Sequence, residues 1–183
     1  RTHGMALCPQ YLDQIENALM ATQGEPDVIR DSGAVFVWDG KYLPGPWLVS
    51  RALELACERV SSYGTVTGVI RRSHHIACLA ALIKQVTDRG LVVMLASSDP
   101  AGSYIAPYGG KEPIFTPNPI AIGYPGTQQP VWIDVSTSIT TVGMTKQKAA
   151  AGSQFEHPWL MDVNGCPTTD PHVIDPGVGG TLL

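Results

Sequence analysis

The sequence predicts an α/β fold: a mixed sheet with flanking helices. Two observations carry this. Short apolar or β-branched runs of strand length recur at 34–40, 65–72, 91–97 and 131–138, and stretches with helical apolar spacing lie between them. The 44% apolar and 15% charged content places these 183 residues among globular chains that can bury a core, not among disordered ones.

In order, residues 9–22, PQYLDQIENALMAT, set Leu12, Ile15 and Leu19 on one face and predict a helix after Pro9. AVFVWDG (34–40) predicts a strand entering an Asp-Gly turn. Residues 45–64 predict a helix with a stripe of Val49, Leu53, Ala56 and Val60, stopped by Gly64. TVTGVIRR (65–72) is β-branched and predicts a strand. Leu79, Leu82, Ile83 and Val86 then predict a helix over 76–88, ended near Gly90. LVVMLAS (91–97) predicts a buried strand, so 65–97 reads as a βαβ unit with its two strands paired in parallel.

From 99 to 130 the chain is dense in Pro and Gly, a long loop-like stretch of the kind that is usually functional. VWIDVSTS (131–138) predicts a strand. Its Asp134, Ser136, Thr137 and Ser138 are candidate caps for a helix over 138–151. The rest is turn-rich.

The net charge of −4 makes no electrostatic case for nucleic acid, and no basic run argues for a membrane surface. No apolar run approaches the roughly 18 residues of a spanning helix. The start, RTHGMALCPQ, has no apolar core of a signal peptide. Cys8, Cys57, Cys78 and Cys166 are scattered without metal-ligand spacing, which favours a reducing cytoplasm. A first residue that is not Met, and a last stretch GVGGTLL, lead us to expect an interior piece of a longer protein, incomplete at both ends.

RRSHHIACLAALIKQ (71–85) places two of the five histidines at a strand-to-helix junction, where α/β proteins tend to bind ligands. His75 is a candidate acid/base, because an imidazole titrates near neutrality; the alternative is packing or capping at the junction. His74 points elsewhere, and metal-binding pairs on a helix are spaced i, i+4, so the two are not expected to share a metal. SSDP (97–100) offers hydroxyls and Asp99 to a ribose or amide, or forms an Asx turn. No GxGxxG opens a helix, and no GxxxxGK[ST] or GxSxG occurs.

Taken together, the motifs resemble those of the malate/L-lactate dehydrogenase family, which includes sulfolactate and ureidoglycolate dehydrogenases and is distinct from the Rossmann-type lactate and malate dehydrogenases. THG resembles the family's SHG, with Tyr11 matching its tyrosine, and SHHIA resembles S-x-H-F-G. SSDP, APYGG and TPNPIAIGYP resemble TN-x-x-P, AP-x-GG and GTNP-x-A-x-x-P. IDVSTS resembles LD-x-ATS, and MDVNGCPTTDP resembles D-x-x-G-x-PTTDP. The matches run in order along essentially the whole chain.

The resemblance implies a non-Rossmann dehydrogenase fold, with a substrate and catalytic-histidine part over 1–97 and a cofactor-binding part over 98–183. It implies NAD or NADP as cofactor, a small 2-hydroxy or 2-keto acid or cyclic imino acid as substrate, no metal, and a homodimer. His75 matches the general acid/base. Thr2, His3 and Tyr11 match substrate-side positions. Asp99, Asn118, Asp134, Val135 and Ser136 match cofactor-side positions, and His74 matches none. Three departures stand out. Leu7 occupies the place of an arginine that would fork onto a substrate carboxylate. Ala77 replaces a glycine, and Thr116-Pro117 replace Gly-Thr. Two other readings stay open: a non-catalytic relative or fragment that keeps the fold, with or without cofactor binding, and a metal protein using His3 and His75.

Overall fold

The structure is a computed structural model and describes residues 3–183. The chain divides into two compact units, one of residues 3–93 and 122–132, the other of 94–121 and 133–183.

The first unit opens with a 3-10 turn, Gly4–Leu7, that runs into helix α1 (Cys8–Glu16). The helix is shorter than its periodicity suggests. Asn17 Nδ2 donates back to the Asp13 carbonyl (2.8 Å), and Ala18 turns left-handed (φ +57°), so the helical ladder stops there. No residue of α1 is buried, and Leu12 and Leu19 are both 60% exposed.

Strands β1 (Asp27–Asp31) and β2 (Val35–Asp39) form an antiparallel pair. The polar run DVIRD gave no strand signal; β1 is an exposed edge whose pairing with β2 defines it. Helix α2 (Gly45–Tyr63) then crosses over to β3 (Thr67–Arg71), which pairs with β2 in parallel, Val35 opposite Thr67 through Asp39 opposite Arg71. Phe36, Trp38 and Ala52 form the core of this layer, with Leu55, Val66 and Ile70 packed against it. The buried face of α2 is Gly45, Leu48, Val49 and Ala52, a partial turn away from the expected stripe.

Helix α3 (Leu79–Thr87) buries Leu79, Ile83 and Val86, as its spacing predicts, but starts three residues later than expected. Strand β4 (Val93–Ala96) does not return to β3. It belongs to a second sheet of order β4-β5-β6, with β5 at Ile120–Tyr124 and β6 at Val131–Val135. The expected parallel pairing of 65–71 with 91–97 is therefore wrong. The place beside β3 in the first sheet is taken by β2, so the βαβ unit is β2-α2-β3, one step earlier in the chain. Periodicity marked both units equally and could not say which strands would pair.

In the second unit, α4 (Val142–Ala150) is capped by Thr141, whose side chain accepts from the Met144 N–H. The expected caps lie too early, because residues 136–140 form an irregular connection and the helix begins only at Val142. The tail folds into a small sheet of β7 (Leu160–Met161), β8 (Pro167–Thr168) and β9 (Thr181–Leu182), in the order β8-β7-β9. Its core is Ile105, Phe155, Leu160, Val173 and Leu182.

Candidate active site

His75 lies in the extended connection between β3 and α3. Pro9 sits in the first turn of α1, and Tyr11 follows two residues later. The phenol oxygen of Tyr11 is 2.8 Å from His75 Nδ1. The ring of His3 lies parallel to that of His75, with centroids 6.1 Å apart and planes within 5°. Three of the sequence-predicted residues thus meet at one place. Thr2 lies outside the described residues. Among those described, no group of three or more His, Cys, Asp or Glu side chains could hold a metal ion.

The two adjacent histidines occupy different surroundings. His75 is exposed. His74 packs edge-on against Tyr11 at 5.5 Å, and its Nδ1 is buried with no hydrogen-bond partner among the described residues. Burial holds the His74 pKa below the ordinary 6.5. Burial also raises the Tyr11 pKa, so the phenol keeps its proton while a histidine titrates.

Ala77, two residues past His75, is left-handed at φ +56°, and Arg72, three residues before it, at φ +51°. Ala77 is the position where the resemblance expects glycine, and the backbone gives the reason, since only glycine visits this region without steric cost. Just upstream, Asp39 is 3% exposed and accepts from Arg71 Nε (3.0 Å), Arg72 Nε (2.9 Å) and the Lys41 N–H (3.0 Å). The Arg72 guanidinium, with burial opposing, holds the Asp39 carboxyl down to about 2. Sequence reasoning missed Asp39. The available signal was an acidic residue ending one strand, with two arginines ending the next in parallel.

The second unit gathers the loops after β4, before β5 and after β6. Thr116 is the hub: its hydroxyl accepts from the Asp99 N–H (3.3 Å) and donates to Asn118 Oδ1 (3.0 Å). The N–H and hydroxyl of Thr137 both donate to the Pro117 carbonyl at 2.9 Å, and the Ser97 N–H donates to the Pro119 carbonyl. Asp99 also forms the Asx turn, its Oδ1 accepting from the Ala101 N–H. Asn118 is left-handed at φ +40°. Ser136 donates to the Ser138 carbonyl, and Asp134 and Val135 lie on the exposed strand β6. Asp99, Asn118 and Ser136 are therefore held in one loop cluster. Thr116 and Thr137, its main ties, were not singled out as site residues.

The chain matches the sequence profile of the malate/L-lactate dehydrogenases over residues 1–183. It belongs to that family. It is 32% identical over its whole length to a (2R)-3-sulfolactate dehydrogenase (NADP(+)) of Chromohalobacter salexigens, covering 53% of that protein. It is 29% identical to a Δ1-pyrroline-2-carboxylate reductase of Pseudomonas fluorescens, with 92% of the chain and 50% of that protein aligned. Its fold superposes on a crystal structure of malate dehydrogenase from Entamoeba histolytica with TM-score 0.90 at 26% identity, covering 99% of the chain and 51% of that structure. The chain spans about half the length of the curated relatives it matches. These relatives share dehydrogenase or reductase chemistry on hydroxy acids or imino acids.

Proposed function

We propose that this dehydrogenase-family chain serves an NAD(P)-dependent oxidoreductase that interconverts a small 2-hydroxy acid and its 2-keto acid, or reduces a cyclic imino acid, with His75 as general acid/base. The observation that carries the reading is the 2.8 Å bond between Tyr11 and His75 Nδ1. It fixes the orientation of an exposed imidazole, whose Nε2 is assigned to the substrate. When Nδ1–H donates to Tyr11, Nε2 carries the lone pair that accepts a hydroxyl proton. When the ring is protonated, Nε2–H returns that proton to a carbonyl oxygen or imine.

His3, Tyr11 and Thr2 are assigned to the substrate side, in a part of the chain that spans 1–97. Asp99, Asn118, Asp134, Val135 and Ser136 are assigned to NAD(P), in a part that spans 98–183. The donor set suits that group: two carboxylates, an amide and a hydroxyl bond ribose hydroxyls and a carboxamide, and the buried Thr116 hydroxyl fixes Asn118. When bound, the nicotinamide supplies the hydride chemistry. Leu7 ends the 3-10 turn with no cation for a substrate carboxylate, which favours a substrate anchored elsewhere or less acidic than those of its relatives. The enzyme is assigned to the cytoplasm as a homodimer; among the described residues no helix is long and apolar enough to cross a membrane.

The test is a screen of the full-length enzyme against 2-keto acids and cyclic imino acids with NADH and NADPH, with His75→Ala beside it. Turnover that needs His75 supports the reading. Turnover that survives His75→Ala, or none with any substrate and either cofactor, rejects it.

A further inference from the structure

We propose that Gly45, at the start of α2, is a positioning residue for His75, and that the 39–45 connection acts as a template for the backbone that carries this imidazole. The proposal rests on the reading of His75 as the acid/base.

Residues 71–75 are bonded along 39–45. Gly40 N–H donates to the Arg71 carbonyl (2.8 Å), Tyr42 N–H to Arg72 (2.7 Å), and His74 N–H to Leu43 (3.1 Å). Asp39 holds Arg71 and Arg72 by their side chains. Lys41, Tyr42 and Arg72 are all left-handed, conformations that persist only where surrounding bonds over-determine them. The template ends at Gly45, which is buried. A Cβ there would fall 2.5 Å from the His75 carbonyl oxygen and 2.5 Å from Ile76 Cγ2, and closer still to the His74 carbonyl oxygen. Two of these neighbours are backbone and cannot swing aside. Gly45 does not have a positive φ, so any residue could adopt its conformation; what only glycine provides is room. Its missing side chain lets the first turn of α2 rest against the peptide of the proposed acid/base. His75 is thus mounted twice, its backbone on Gly45 and its ring on Tyr11.

The experiment is a set of variants of the full-length enzyme. Gly45→Ala should lower kcat by about 10- to 100-fold, as a displaced catalytic group does, with cofactor KM little changed. It should also move the histidine limb of the kcat/KM–pH profile. Combined with Tyr11→Phe, its loss should be smaller than the product of the two single losses, because the mounts hold the same ring. Gly64→Ala is the control at the far end of the same helix. Its Cβ meets nothing within 4 Å but its φ is +74°, so it should lower the melting temperature and leave the pH limb in place. A Gly45→Ala enzyme with a wild-type pH limb and fully multiplicative losses overturns the proposal. If Gly45→Ala does not fold, Arg72→Ala decides instead. It removes one strut of the template and leaves Asp39 paired with Arg71; a moved limb supports the template, and an unmoved one overturns it. If His75→Ala keeps full turnover, the acid/base reading fails rather than the mount. The NMR titration of the His75 ring then tests the mount alone: a shift in Gly45→Ala supports it, and superimposable curves overturn it.

Discussion

Tyr11 and His75 are 64 residues apart in the chain, and their phenol oxygen and Nδ1 are 2.8 Å apart in space. Removing that oxygen isolates its contribution. A hydrogen bond of this kind is worth about 0.5 to 1.5 kcal/mol, and about 1.4 kcal/mol is a factor of ten in rate. Tyr11→Phe should therefore lower kcat by about 2- to 10-fold, with little change in melting temperature. An unchanged kcat would show that the phenol does not orient the ring.

The adjacent histidines should part company on mutation. His75→Ala should lower kcat by about 10²–10⁴, the usual worth of a positioned acid/base, with cofactor KM nearly constant. His74→Ala should cost far less turnover, and its loss should follow stability, because that ring packs edge-on against Tyr11 with its Nδ1 buried. Oxidation needs a neutral base, so kcat/KM for oxidation should rise with pH through the histidine titration. Reduction should fall over the same range. Steady-state rates in both directions check this; equal losses in two equally stable alanine variants would contradict it.

Asp39 makes acid stability testable. Its carboxyl titrates at about 2 in the fold against an ordinary 3.8. A depressed carboxyl stabilises the fold at pH above the ordinary value, and that contribution disappears as pH falls through the folded one. Denaturation midpoints should drop between about pH 4 and 2 in the wild type. Asp39→Asn should be less stable at neutral pH and flatter across that window. Parallel curves for the two proteins would assign the acid transition to other groups.

Ala77→Gly should stabilise. A left-handed alanine costs roughly 1 to 2 kcal/mol, and the added freedom of an unfolded glycine returns about 0.4 to 1. The expected gain is about 0.5 to 1 kcal/mol, read from the midpoint of urea unfolding. A lower midpoint would mean that the Ala77 methyl makes packing contacts worth more than its strain.

Leu7→Arg should lower KM for carboxylate-bearing substrates while changing kcat less, since a fork at that position would add ground-state binding. An unchanged KM across a panel of 2-keto acids would show that position 7 does not reach the substrate.

What the sequence disclosed, and what it hid, follow from the range of the forces involved. Helix α3 was legible because Leu79, Ile83 and Val86 face the core at local spacing. The meeting of His3, Tyr11 and His75 was legible only through ordered motifs, since no local pattern joins residues so far apart. The partner of β3 was not legible: β2 and β4 are both apolar runs reached through a helix, and pairing is settled by long-range packing. Asp39 looked like half of an Asp-Gly turn until its arginines came beside it through the β2–β3 register. Gly45 gave no signal, because its role is to leave space for a peptide 30 positions away.

Helix α1 delivers Tyr11 to His75 without burying any residue of its own. Little apolar area therefore resists its detachment, and opening α1 should require a small fraction of the free energy of global unfolding. Native-state hydrogen exchange should find the amides of 10–16 exchanging long before those of α2, which carries Leu48, Val49 and Ala52 in the core. The phenol that orients the proposed acid/base would then be the first part of that arrangement lost on warming. Catalytic decay should set in several degrees below the calorimetric transition, and it should reverse on cooling as long as the core has stayed folded.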